Sequence, residues 1–325
     1  MLRNRIYYGL KPFVPQALRT AIRRKLAKRL RKHVGSVWPI MPGSEHPPEN
    51  WPGWPEGKKF ALILTHDVES KTGLNRCRSL MQLELDLGFR SSFNFIPEGS
   101  YRVPADLRKE LTASGFEVGI HDLKHNGHLF TSRRNFKRSA ARINRYAREW
   151  GASGFRSGFM LRNLDWLHDL DVQYDASTFD TDPFEPQPHG RHTIFPFWVP
   201  NPNGDPISYQ RSAIKSSSNG YVELPYTLPQ DFTLFVLLQE KTPEIWMRKL
   251  DWIARHGGMA LIDVHPDYLC FDKAIATPRE YPVGHYKSFL EYASRHYGGA
   301  FWNTTPRKVA QFCARIARDV PNQDE

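Results

Sequence analysis

The sequence predicts an α/β barrel of about seven strand–helix units behind a basic amphipathic helix. Three observations predict it. Apolar strand-like runs alternate with helix-like segments from Phe60 onward. Polar clusters close three of those runs, at the strand ends where a parallel barrel carries its reacting residues. No GxGxxG follows an early run, which disfavours an open dinucleotide-binding sheet.

Residues 1–37 form a basic arm. Eleven of the 45 Lys and Arg lie within residues 1–33, and no Asp or Glu precedes Glu45. The remaining 34 basic residues equal the 34 acidic ones, so the whole +11 charge belongs to the arm. Residues 16–34 read as a helix, because Leu18, Ile22, Leu26, Leu30 and Val34 recur every fourth residue between Arg and Lys. Such a helix lies on an anionic membrane surface or docks its stripe on the body. Nucleic acid is a weaker partner, since no recognised motif accompanies the charge. Residues 38–57 carry Pro39, Pro42, Gly43, Pro47, Pro48, Pro52 and Gly53 with Trp51 and Trp54, which reads as a linker or a strap.

Residues 58–325 form the body. Strand-like runs cover 60–65, 91–96, 116–120, 154–159, 172–177, 221–225 and 259–264. Helices are expected over 75–87, 104–114, 132–150 and 243–256, each followed by glycine, the usual helix stop. Thr242-Pro243 and Thr305-Pro306 look like helix openings. Residues 178–222, rich in Pro, Asp, Asn and Ser, read as a long loop shaping a substrate groove.

Hydrophobic residues make up 40% and charged residues 24% of the 325, an ordinary globular usage. Cys77, Cys270 and Cys313 form no CxxC pair, which fits a reducing compartment better than a disulfide framework. No apolar run is long enough to span a bilayer. The N-terminus lacks the apolar centre of a secretory signal. Cytoplasmic residence is the expectation, with membrane association left to the arm.

The chemistry lies in Thr65-His66-Asp67-Val68-Glu69, His121-Asp122-Leu123-Lys124-His125 and Asp263-Val264-His265. Residues two apart on a strand end point to the same face, so Asp67 and Glu69 can reach one site. A helical turn would bring the His121 and His125 rings to one side, where both can bind one metal ion. A catalytic metal site needs a third protein ligand, for which Asp67 and Glu69 are the candidates. The other carboxylate can then take a proton from water. His66 and His128 read as supporting or surface residues. Trp198, Tyr226 and Trp302 could stack on sugars, although core packing is their default.

The order of these clusters, with Arg156-Ser157-Gly158-Phe159, Tyr174-Asp175-Ala176-Ser177 and Leu261-Ile262-Asp263-Val264-His265, resembles the polysaccharide deacetylases of the NodB-homology type (carbohydrate esterase family 4). The resemblance covers roughly residues 58–310. It implies a distorted (β/α)7-type, NodB-like barrel, a divalent metal, zinc in the first instance, and removal of acetyl groups from sugars. It makes Asp67 the catalytic base, with Arg156 orienting it. His121 and His125 become metal ligands and His265 the general acid. Asp175 becomes the acidic partner of His265, in competition with Asp180 and Asp182.

Two departures stand out. Val68 occupies the place where the common pattern has a metal carboxylate, so the ligand role passes to Glu69, as in a divergent Asp-Val-Glu subset. Arg-Ser-Gly-Phe replaces an Arg-Pro-Pro-Tyr type of sequence. The function expected is metal-dependent N-deacetylation of a sugar in a glycan or glycolipid precursor. Two alternatives are a non-catalytic carbohydrate-binding or scaffold protein on a decayed barrel, and a hydrolase of another non-peptide C–N bond.

Overall fold

The computed structural model describes residues 15–202, 220–272 and 277–319. In chain order the elements are α1 (Gln16–Arg31), β1 (Phe60–Val68), α2 (Lys71–Asp86), β2 (Ser91–Phe95), α3 (Ala105–Ala113), β3 (Glu117–His121), α4 (Arg133–Trp150), β4 (Gly154–Arg156), a one-turn α5 (Leu164–Leu167), β5 (Tyr174–Asp175), β6 (Phe197–Pro200) and β7 (Gly220–Glu223). A π-helical segment (Phe232–Leu238), α6 (Glu244–His256), β8 (Met259–Asp263), β9 (Leu269–Cys270), β10 (Tyr281–Pro282), α7 (Gly284–Tyr297), β11 (Phe301–Asn303) and α8 (Pro306–Asp319) follow. The four helices expected between strands form, and α4 and α6 stop at Gly151 and Gly257, both in the left-handed region. The expected loop is interrupted by β6 and ends in β7, and its residues 203–219 lie outside the described part, as do residues 1–14 of the arm.

β1 is the hub of a nine-stranded curled sheet. It pairs in parallel with β8, with β11 along its first half, and with β2 along its second. From β2 the sheet runs in parallel through β3, β4, β5 and β7. β6 joins β7 antiparallel at the edge. Among the described residues no ladder joins β8 back to β7. Instead the Thr227 and Leu228 amides donate to the Leu261 carbonyl at 3.0 and 3.1 Å, and Met259 N donates to Ile194 O at 2.7 Å. The barrel is therefore distorted, closed on that side by irregular chain.

Alternation along the strands decides which side chains meet. On β1, Phe60, Leu62 and Leu64 pack with α2 and α3 on the outer face, while Ala61 and Ile63 pack on the inner face with α8. On β8, Ala260 and Ile262 face outward and Met259 and Leu261 inward. Because side chains alternate, Thr65, Asp67, Asp263 and His265 inherit the inner face. His66 turns outward, where its Nε2 meets Glu84 of α2 at 2.8 Å.

The Pro- and Trp-rich stretch is a strap. Trp54 Nε1 donates to Gly257 O at 2.7 Å, and Trp51, Trp54, Trp302 and Phe312 pack as one aromatic group at the N-terminal end of β1. The arm helix docks, but not by the whole stripe expected. α1 lies on the π-helical segment through Arg24 Nε to Val236 O at 2.8 Å and Lys28 Nζ to Gln239 Oε1 at 2.9 Å. The Arg23 guanidinium stands 4.7 Å over the Phe232 ring. Val34 is buried and Leu30 packs against the core, but Leu18, Ile22 and Leu26 stay in solvent. Polar and cation–π contacts, with Ala27 buried in the core between them, hold one side of the helix, so the first part of the stripe is left outward.

Candidate active site

Inner-face residues at the C-terminal ends of β1, β2, β3, β4 and β8 converge on one site. Asp67 is buried at the end of β1. Its Oδ1 accepts from Asn94 Nδ2 at 2.8 Å and lies 3.4 Å from Arg156 Nη1, while His121 Nδ1 is 3.4 Å from Oδ2. Burial alone would raise the Asp67 carboxyl, but the charges of His121, Arg156 and His265 and the Asn94 hydrogen bond hold it below the ordinary value. Asn94 shares the inner face because Phe93 and Phe95 on either side pack outward.

Arg156 is buried between two carboxylates. Its Nη1 lies 2.8 Å from Asp263 Oδ1 and donates to Thr65 Oγ1 at 2.8 Å, and its Nε donates to Ala176 O at 2.8 Å. No motif assigns Asp263 a role of its own. Burial pushes its carboxyl up to about 7 against the pull of Arg156. Its Oδ2 stands 3.7 Å from His265 Nε2.

Glu69, His121 and His125 come together beside Asp67, with one donor atom from each lying within 4.8 Å of the others. Glu69 Oε1 is 3.1 Å from His125 Nε2, and Tyr268 donates its hydroxyl to Glu69 Oε2 at 2.8 Å. Burial opposes ionisation of Glu69, but His125 above all, then His265 and His121, holds it well below the usual carboxylate range. The next residue, Ser70, caps α2 by accepting from Thr72 N.

The two histidines are not joined by a helical turn. His121 ends β3, and the chain then reverses through left-handed Asp122 (φ 54°) and His125 (φ 50°), which sets the rings 4.8 Å apart. The Asp122 carboxylate secures the reversal by accepting from Leu123 N at 2.5 Å. The Arg-Ser-Gly-Phe stretch supports it. A Cβ on Gly158 would stand 2.6 Å from His125 Cδ2 and from Asp122 Oδ2, and the Phe159 ring stacks on His125 at 4.3 Å.

A divalent cation fits this trio. His121 Nδ1 is turned to the Arg156 carbonyl at 3.1 Å, which fixes the tautomer that frees the other ring nitrogen. That Nε2 is buried and has no hydrogen-bond partner among the described residues. Two imidazoles and one carboxylate are a donor set that zinc takes in catalytic sites.

The partner of His265 is Asp231, not Asp175, Asp180 or Asp182. Asp231 Oδ1 lies 2.7 Å from His265 Nδ1, and Asp231 Oδ2 accepts from His265 N at 2.8 Å and from the Tyr281 hydroxyl at 3.0 Å. Burial would depress His265, yet Asp231 first, then Asp263 and Glu69, raise it well above the ordinary imidazole value. Its Nε2 faces the site, 4.0 Å from Glu69 Oε1.

Asp175 does not hold His265. Tyr174 and Ala176 pack on the inner face, so Asp175 between them takes the outer face, in register with Phe155 and Glu223. There it accepts from Ser177 Oγ at 2.7 Å and Ser177 N at 2.9 Å. Asp180 is bound to buried Lys249, and Asp182 accepts from the Tyr226 hydroxyl at 2.9 Å. Asp231 follows Pro229-Gln230 in a stretch without strand or motif, and no local signal marks it. Asp263 and Asn94 could have been found by counting alternation.

No family model matches the sequence, and no curated protein matches it. Solved structures do. A polysaccharide deacetylase candidate from Mycobacterium smegmatis superposes with a TM-score of 0.57 at 17% identity, over 82% of this chain and 94% of that one. The peptidoglycan deacetylase PdaC of Bacillus subtilis gives 0.43 at 11% identity, over 82% and 95%. A family 4 acetyl xylan esterase from Clostridium thermocellum gives 0.40 at 13%, over 78% and 91%. The first of these carries the conclusion that this chain has the NodB-type polysaccharide deacetylase fold.

Proposed function

We propose that the protein is a metal-dependent deacetylase that hydrolyses the N-acetyl group of a sugar in a glycan or glycolipid precursor. The observation that carries this reading is the meeting of Glu69, His121 and His125 with Asp67 on one side and an Asp231-held His265 on the other. Glu69, His121 and His125 would hold a divalent cation, zinc by donor type, which when bound supplies Lewis acidity at the amide carbonyl and acidifies water. Asp67 takes the proton of the attacking water, kept ionised and aimed by Arg156 and Asn94. His265 gives its Nε2 proton to the sugar nitrogen as the C–N bond breaks, leaving acetate and a free amine. Asp231 fixes the His265 tautomer and favours its charged form.

The scaffold reading would be favoured by a Glu69 turned away from the two histidines. Glu69 turns toward them, which supports the catalytic reading. The test is acetate release from N-acetylated sugars by zinc-loaded protein, with metal content measured alongside. Asp67→Asn should abolish release and keep the metal, whereas Glu69→Ala should lose both. Undiminished turnover in Asp67→Asn sinks the mechanism.

A further inference from the structure

The outward face of α1 is unlike the rest of the surface. Leu18, Ile22 and Leu26 are each at least half exposed and are the only exposed large hydrophobic side chains among the described residues. They form one row, four residues apart. Lys25, Arg29 and Lys32 flank that row and are themselves exposed, and no acidic residue precedes Glu45. The opposite side of the helix is committed to the body through Arg23, Arg24 and Lys28. The row is therefore not a packing face awaiting the barrel.

We propose that this face docks on an anionic membrane surface, with Leu18, Ile22 and Leu26 entering the headgroup–acyl boundary and Lys25, Arg29 and Lys32 meeting acidic headgroups. Charge complementarity selects this occupant. An apolar row with basic flanks is what an interfacial helix presents to acidic lipid. A stable protein interface needs roughly 800 Å² from each partner. Three side chains spread over about 12 Å of helix fall far short of it.

The location adds a purpose. Arg23 covers Phe232, the Phe232 ring lies 5.3 Å from Tyr268, and the Tyr268 hydroxyl donates to Glu69. The docking helix is thus two side chains removed from the site, and a docked protein would hold that site beside the lipid. The link to a lipid-carried sugar rests on the deacetylase reading. The docking itself does not.

The test is co-sedimentation of the full chain with phosphatidylcholine vesicles, with and without phosphatidylglycerol, at low and high salt. Binding should require the acidic lipid and weaken with salt. Replacing Leu18, Ile22 and Leu26 together by Gln, or Lys25, Arg29 and Lys32 together by Glu, should each weaken it about tenfold or more. Thermal stability and hydrolysis of a soluble substrate should be unchanged, which separates lost docking from lost folding. Absence of wild-type binding overturns the proposal, and so does equal binding by both triple variants. A wild-type dimer that the Gln variant turns into monomer assigns the face to a second copy and also overturns it. Sedimentation needs no turnover, so failure here and failure of the deacetylase reading are distinguishable.

Discussion

Asp231→Asn should cripple amide hydrolysis while sparing an activated ester. The carboxylate receives four donors. Oδ1 takes Phe232 N at 2.7 Å and His265 Nδ1 at 2.7 Å, and Oδ2 takes His265 N at 2.8 Å and the Tyr281 hydroxyl at 3.0 Å. Asn offers one acceptor atom, so either orientation sets its NH2 against a buried N–H. The Tyr281 hydroxyl can rotate to accept, but the His265 or Phe232 amide cannot. One unsatisfied buried donor costs about 1–3 kcal/mol of stability. The chemical cost is larger, because His265 loses the charge that holds its tautomer and its proton. A positioned general acid is worth about 10²–10⁴-fold, or about 3–5 kcal/mol. Acetate release from an N-acetyl sugar should fall by that factor. Hydrolysis of an aryl acetate, whose leaving group needs no proton, should fall less than about tenfold. Equal loss on both substrates, or a full loss from Asp175→Asn in place of Asp231→Asn, would refute the assignment.

Further outcomes concern the loop behind His121 and His125 and a buried ion pair. Gly158→Ala places a methyl 2.6 Å from His125 and Asp122, so zinc affinity, read by competition with a chelating dye, should drop about 10–100-fold while the fold persists. Asp180 is pushed up to about 6, by burial first and despite Lys249. An acid raised on folding binds its proton more tightly in the folded state, so its contribution is full at pH below about 4 and is lost as pH rises through about 6. Asp180→Asn should therefore flatten the fall of stability in urea titrations across that window, and an unchanged slope would contradict the assignment.

Strand-end chemistry was legible where alternation could be counted. Asp67 and Glu69 sit two apart beyond an apolar run, and both carboxylates approach His121, Asp67 Oδ2 at 3.4 Å and Glu69 within the His121–His125 group. The same count, applied to Tyr174-Asp175-Ala176, would have turned Asp175 outward, since its two neighbours are the ones that pack inward. Motif order placed Asp175 beside His265. Strand direction did not allow it. The spacing of His121 and His125 was also legible, but its geometry was not. Four residues suit a helical turn, and only the left-handed backbone at Asp122 and His125, with room left by Gly158, shows that a tight reversal does the work.

What the sequence by itself determined is local. The strand–helix periods, the glycine stops, the polar strand ends and the confinement of charge to the first 33 residues all depend on neighbours a few positions apart. Only the tertiary structure could decide what distant chain brings together. Asp231 reaches His265 across 34 positions, Arg156 lies between Asp67 and Asp263, and α1 docks through Arg23, Arg24, Lys28 and the apolar Ala27 and Leu30 and leaves Leu18, Ile22 and Leu26 in solvent. The reason is physical. Periodicity sets which face a side chain takes, but its partner on that face depends on how strands and loops pack in three dimensions.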